Sequence, residues 1–70
     1  MKELVAKRLV LLRGEKTRKA VASDIGVSVS ALSMYENGHR MPKDETKARI
    51  AAYYGKTVGE IFFDDICHYT

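Results

Sequence analysis

Val29, Ser30, Ser33 and Met34 have the types and spacing best suited to meeting another molecule. On a helix these residues share one side, while Leu32 and Tyr35 share the other. Two hydroxyls that donate or accept, beside two apolar side chains that touch methyl-sized groups, make a surface for recognition rather than bond-making. Thr17 and Arg18 precede this group, and Asn37, Gly38, Arg40 and Lys43 follow it, so cationic and polar residues flank it on both sides. The parts of a catalytic site are missing: no nucleophile stands beside a base, and no glycine loop of the phosphate-cradling kind occurs. His39, His68 and Cys67 do not form a metal-binding spacing. No cofactor is expected.

Positioning that face requires a particular local fold. Gly26 tolerates the left-handed conformation that closes one helix, and the Ser28 hydroxyl can accept from the first free N–H groups of the next. Two helices joined so abruptly cross at a steep angle, and small Ala22 lets them approach. Leu32 and Tyr35 anchor the second of them to a core and leave its other side free. That arrangement is the geometry of a helix-turn-helix whose second helix enters a DNA major groove.

The rest of the chain reads as further helices. Residues 1–13 form the first, with Val5, Leu9 and Leu12 inward and a second apolar stripe of Leu4 and Leu11 beside them. Either that stripe widens the buried face or it meets a partner. Thr17 caps the second helix, in which Val21, Ala22 and Ile25 face inward. Asn37-Gly38 stops the third, and Pro42 prevents its continuation. A fourth runs from Asp44 to Tyr54, with Ile50, Ala51 and Tyr54 inward and Lys47 and Arg49 outward; Gly55 ends it. Thr57 caps a short fifth in which Val58, Ile61 and Phe62 close the core. Tyr53, Phe63, Ile66 and Tyr69 exceed what one small core needs, and either pack the tail onto the same chain or form a two-fold contact.

With 70 residues the chain supports one small domain, placed here at 1–63, with 64–70 as a C-terminal tail that either frays or docks in a dimer contact. At 46% hydrophobic and 30% charged residues it is too apolar to be disordered. A net charge of +3 and pI near 9.2 are compatible with nucleic acid without establishing it. The single Cys67 has no internal disulfide partner, which suits a reducing cytoplasm. The apolar run from Leu9 to Leu12 stops at Arg13, too short for a signal peptide, and no stretch is long enough to cross a bilayer.

Leu12-Arg13, Thr17-Arg18, Val21-Ala22, Gly26-Val27-Ser28, Leu32, Tyr35-Glu36-Asn37-Gly38, Arg40, Pro42, Ile50-Ala51, Tyr54-Gly55 and Glu60-Ile61-Phe62 together resemble the lambda-repressor-like helix-turn-helix family, also called XRE or Cro-type regulators. The likeness extends from Val5 to Phe62. It implies an all-α, compact five-helix DNA-binding domain with the motif at helices two and three. The implied activity is transcriptional regulation, usually as a homodimer on a palindromic operator in double-stranded DNA.

Residue by residue, the resemblance makes Val29, Ser30, Ser33 and Met34 base-reading positions. It makes Arg18 a position that commonly touches phosphate and sometimes a base, and Asn37, Gly38 and Arg40 the loop that meets the DNA backbone; Thr17 and Lys43, which stand next to these segments in the chain, are read with them as phosphate contacts. Arg13 and Glu36 match a pair that forms an internal salt bridge in several relatives. The chain departs from the pattern in having a shorter connection after the first helix and Arg18 where glutamine is frequent. Val29 and Met34 replace polar readers, so contact with thymine methyl groups takes the place of bidentate hydrogen bonding. Two rival functions share the fold: the antitoxin of a toxin-antitoxin pair, and a protein-binding adaptor that no longer binds DNA.

Overall fold

The computed structural model describes residues 2–63; the tail at 64–70, with Ile66 and Tyr69, lies outside the described residues. Among the described residues the chain forms five helices and no strand: α1 (Lys2–Arg13), α2 (Arg18–Ile25), α3 (Val29–Glu36), α4 (Asp44–Tyr54) and α5 (Val58–Phe62).

Side-chain caps and left-handed glycines set most of the boundaries. Thr17 Oγ1 accepts from Ala20 N at 3.1 Å to open α2, and Ser28 Oγ accepts from Ala31 N at 3.0 Å to open α3. Between them Gly26 turns the chain at φ 93°, and its N–H donates to the Ala22 carbonyl at 2.8 Å. A side chain at Gly26 would be strained in that conformation and would also meet Arg49 Nη1 at 3.3 Å. At α5, Thr57 and Glu60 bond reciprocally in a capping box, and these bonds from Thr57 hold the exposed Glu60 carboxyl below its usual range.

Every helix contributes to one core. Val5 and Leu9 of α1, Val21, Ala22 and Ile25 of α2, Leu32 and Tyr35 of α3, Ile50 and Ala51 of α4, and Ile61 and Phe62 of α5 are buried together. Leu12, Tyr53, Tyr54 and Val58 pack against this cluster half-buried. Helix α1 lies against α3 and α5, α2 against α3 and α4, and α4 against α5. The motif α2-turn-α3 is therefore held from behind by α1 and α4.

One side chain differs from its expected direction. Lys47, placed outward by the helical period, is half-buried: its ammonium lies 5.7 Å from the Phe62 ring centre and 5.4 Å from that of Phe63. Its methylenes cover apolar surface at the α4–α5 edge while the charge sits on the ring faces. The Leu4 and Leu11 stripe divides, with Leu4 half-buried and Leu11 80% exposed.

Candidate nucleic-acid interface

Helix α3 turns two unlike faces to its surroundings because its apolar anchors fall at positions 32 and 35. Leu32 is fully buried and Tyr35 nearly so, whereas Val29 and Met34 are 45% and 41% exposed. Ser30 is exposed and Ser33 half-buried, so these four residues form one outward strip along eight residues of helix. Asn37 Nδ2 donates to Ser33 Oγ at 3.3 Å, tying the last polar position of the strip to the loop behind it.

The flanking residues gather at the C-terminal end of that strip, where Arg18, the first residue of α2, bonds to Glu36, the last of α3, and residues 37–43 follow. Thr17 is exposed and its hydroxyl oxygen already accepts from α2, leaving the hydroxyl proton to donate elsewhere. Beyond α3, Asn37, Arg40 and Lys43 are exposed. Gly38 also has a part in ending the helix. At φ 76° it closes α3, its N–H donating to the Tyr35 carbonyl at 3.3 Å while His39 N–H donates to that of Met34 at 3.0 Å. Asn37 N–H likewise donates to the Ser33 carbonyl at 2.9 Å, so the peptide donors of residues 37–39 are used in closing α3.

Behind the strip sits a buried charge cluster. The Glu36 side chain has no exposure, and Arg13 Nε lies 2.9 and 3.1 Å from its two carboxylate oxygens. Arg13 Nη1 also donates to the Lys16 carbonyl at 2.7 Å, fixing the short connection between α1 and α2. The same carboxylate accepts from Arg18 Nε at 2.9 Å. That second arginine was not legible in the sequence, because residues 18 and 36 meet only after α2 and α3 have packed.

Tyr54 completes the cluster's surroundings. Its hydroxyl is buried with no hydrogen-bond partner among the described residues, and burial followed by the Glu36 charge pushes its pKa up to about 12. Since the unfolded value is near 10, the folded state binds the proton more tightly, and stability is lost as pH rises from about 10 through 12. Tyr54→Phe should leave stability at pH 7 unchanged or raised by up to about 1 kcal/mol, because it removes an unbonded hydroxyl. It should also flatten part of the alkaline decline. Thermal melts at pH 7 and across pH 9–12, compared with wild type, check both outcomes, and a marked loss at pH 7 would show that the hydroxyl has a partner.

Among the described residues there is no cluster of His, Cys, Asp or Glu able to hold a metal ion, and no helix long and apolar enough to cross a membrane. No curated protein and no solved structure matches the chain. The family model described as Helix-turn-helix matches residues 7–61, from the middle of α1 to α5, and so spans the motif, the helices that support it and the whole outward strip. By that match and this five-helix architecture, the chain belongs to the lambda-repressor-like (XRE) helix-turn-helix family of DNA-binding domains.

Proposed function

We propose that the chain is a sequence-reading transcriptional regulator, a repressor that binds a palindromic operator as a homodimer in the cytoplasm, with α3 in the major groove. The observation that carries this is the division of α3: Leu32 and Tyr35 serve the core, while Val29, Ser30, Ser33 and Met34 face outward, with the polar and cationic residues of the α2 start and of the loop after α3 beside the helix end. In the groove the two apolar side chains meet thymine methyl groups, and the serines bond to base edges. Thr17, Arg18, Asn37, Arg40 and Lys43 contact phosphates, with Gly38 shaping the loop that presents them. Repression is the simplest mode, since occupying an operator needs no further surface.

A dimer strengthens this because one half-site read by short side chains gives little discrimination alone. Two faces are candidates for the two-fold contact: the α1 stripe around Leu11, and the C-terminal tail at 64–70. A protein-binding role, as an antitoxin or an adaptor, also has one observation in its favour. Val10 and Leu11 stand exposed beside Ala6 and Lys7 around a shallow apolar groove of about 410 Å³.

Selection of bound duplexes from a random pool separates these readings. The DNA reading expects a symmetric consensus rich in thymine at the positions facing Val29 and Met34. Its affinity should fall steeply between about 50 and 200 mM salt. Substituting uracil for those thymines should weaken binding, and Met34→Ala should reduce the difference between the two duplexes. No enriched sequence, with a toxin or other protein co-purifying instead, would favour the antitoxin or adaptor.

A further inference from the structure

We propose that Glu36, which DNA cannot touch, is a positioning residue for DNA binding: it grips Arg18 through Nε so that the rest of the guanidinium is held ready for one phosphate. The proposal rests on the DNA-binding reading above and goes beyond it by assigning work to a residue buried behind the interface. Arg18 is the first residue of α2 and Glu36 the last of α3, so the grip joins the two ends of the motif across the steep turn.

Three observations support it. First, Arg18 uses only Nε, at 2.9 Å, and has no other hydrogen bond among the described residues, which leaves both Nη groups unbonded on a side chain that is 40% exposed. An arginine fixed at Nε keeps a planar pair of donors, and a phosphate oxygen pair accepts from such a fork. Second, Arg13 Nε donates to both oxygens of the same carboxylate, so the group that grips Arg18 is itself held in place by a second bond. Third, the cluster is short of one negative charge: Arg13 and Arg18 bring two cations and Glu36 one anion, a balance of +1. A DNA phosphate supplies the missing charge without displacing any bond already made. Holding the side chain beforehand also lowers the rotamer entropy lost when it binds.

Arg18→Lys, Arg18→Ala and Glu36→Gln are the test, each titrated with the selected duplex at several salt concentrations and each melted alone. Lysine keeps the charge but cannot bond the carboxylate and present a fork at once. Arg18→Lys should therefore weaken binding about 10-fold, close to Arg18→Ala. Arg18→Ala should also lower the salt slope by about 1. Glu36→Gln should weaken binding at temperatures where it is still folded, despite the removal of a negative charge near DNA.

Wild-type affinity in Arg18→Lys would mean that Arg18 acts as a bare charge and would overturn the proposal. So would tighter binding by Glu36→Gln, which would make the carboxylate a brake on Arg18. Melting changes with no affinity change in any variant would reduce the cluster to a structural clamp, again overturning it. Failure of the wild-type protein to bind any duplex would instead remove the DNA-binding reading itself.

Discussion

Ser30→Glu should abolish duplex binding, by about 100-fold or more, while the protein melts at the wild-type temperature or slightly above it. Ser30 is exposed at the second position of α3, on the strip between Val29 and Ser33, so a larger side chain there disturbs no packing. A carboxylate in the first turn of a helix is favoured by the backbone dipole, worth about 0.3–1 kcal/mol, which is why folding does not suffer. Against DNA the same carboxylate is carried into the groove between two rows of phosphates. Like charges brought together at an interface cost several kcal/mol, enough to outweigh the gain of any single new contact. A binding titration and a thermal melt on one preparation check both halves. Binding within a few-fold of wild type would place α3 outside the interface.

Glu36→Ala should lower stability by about 3 kcal/mol, the largest loss expected from any single polar residue here. Removing one member of a buried ion pair leaves the other charges desolvated and unpaired, at a cost of about 3–5 kcal/mol. Arg13 and Arg18 both retain some exposure, 17% and 40%, and can turn toward water, which holds the loss near the lower end. A chain of this length has only about 3–5 kcal/mol to lose, so the variant should be partly unfolded at room temperature and melt about 15 °C or more below wild type. Replacing Arg13, Arg18 and Glu36 together by apolar residues of similar volume should recover most of that stability, because it removes the stranded charges along with their partner. Urea titrations of the single and triple variants measure the contrast. A single variant that loses under about 1 kcal/mol would show that the arginines find other partners.

Local chemistry explains how much of this fold can be read from the residues. Thr17, Ser28 and Thr57 each cap the helix they precede, and Gly26, Gly38 and Gly55 each adopt a positive φ where a helix closes. Such devices act within a few residues, so spacing alone exposes them. The inward face of α3 is equally legible, since Leu32 and Tyr35 are large apolar residues three apart on one side of the helix. What spacing does not expose is contact between distant segments. The pairing of Arg18 with Glu36 depends on the angle between α2 and α3. Lys47 lies over Phe62 and Phe63 because α5 returns along α4. That the Tyr54 hydroxyl has no hydrogen-bond partner among the described residues follows from how the ring is oriented, which a periodic pattern of apolar residues leaves open. Gly38 was legible as a turn, but the use of its N–H within the chain depends on how the end of α3 closes.

The proposal as a whole stands on the outward strip of α3 meeting base edges while the start of α2 and the loop after α3 meet phosphates. Amide chemical-shift mapping of labelled protein, titrated with the selected duplex, tests it most directly. The largest shifts are expected at residues 17–19, 29–34, 37–41 and 43. Shifts confined to α1, or none on α3, would contradict it.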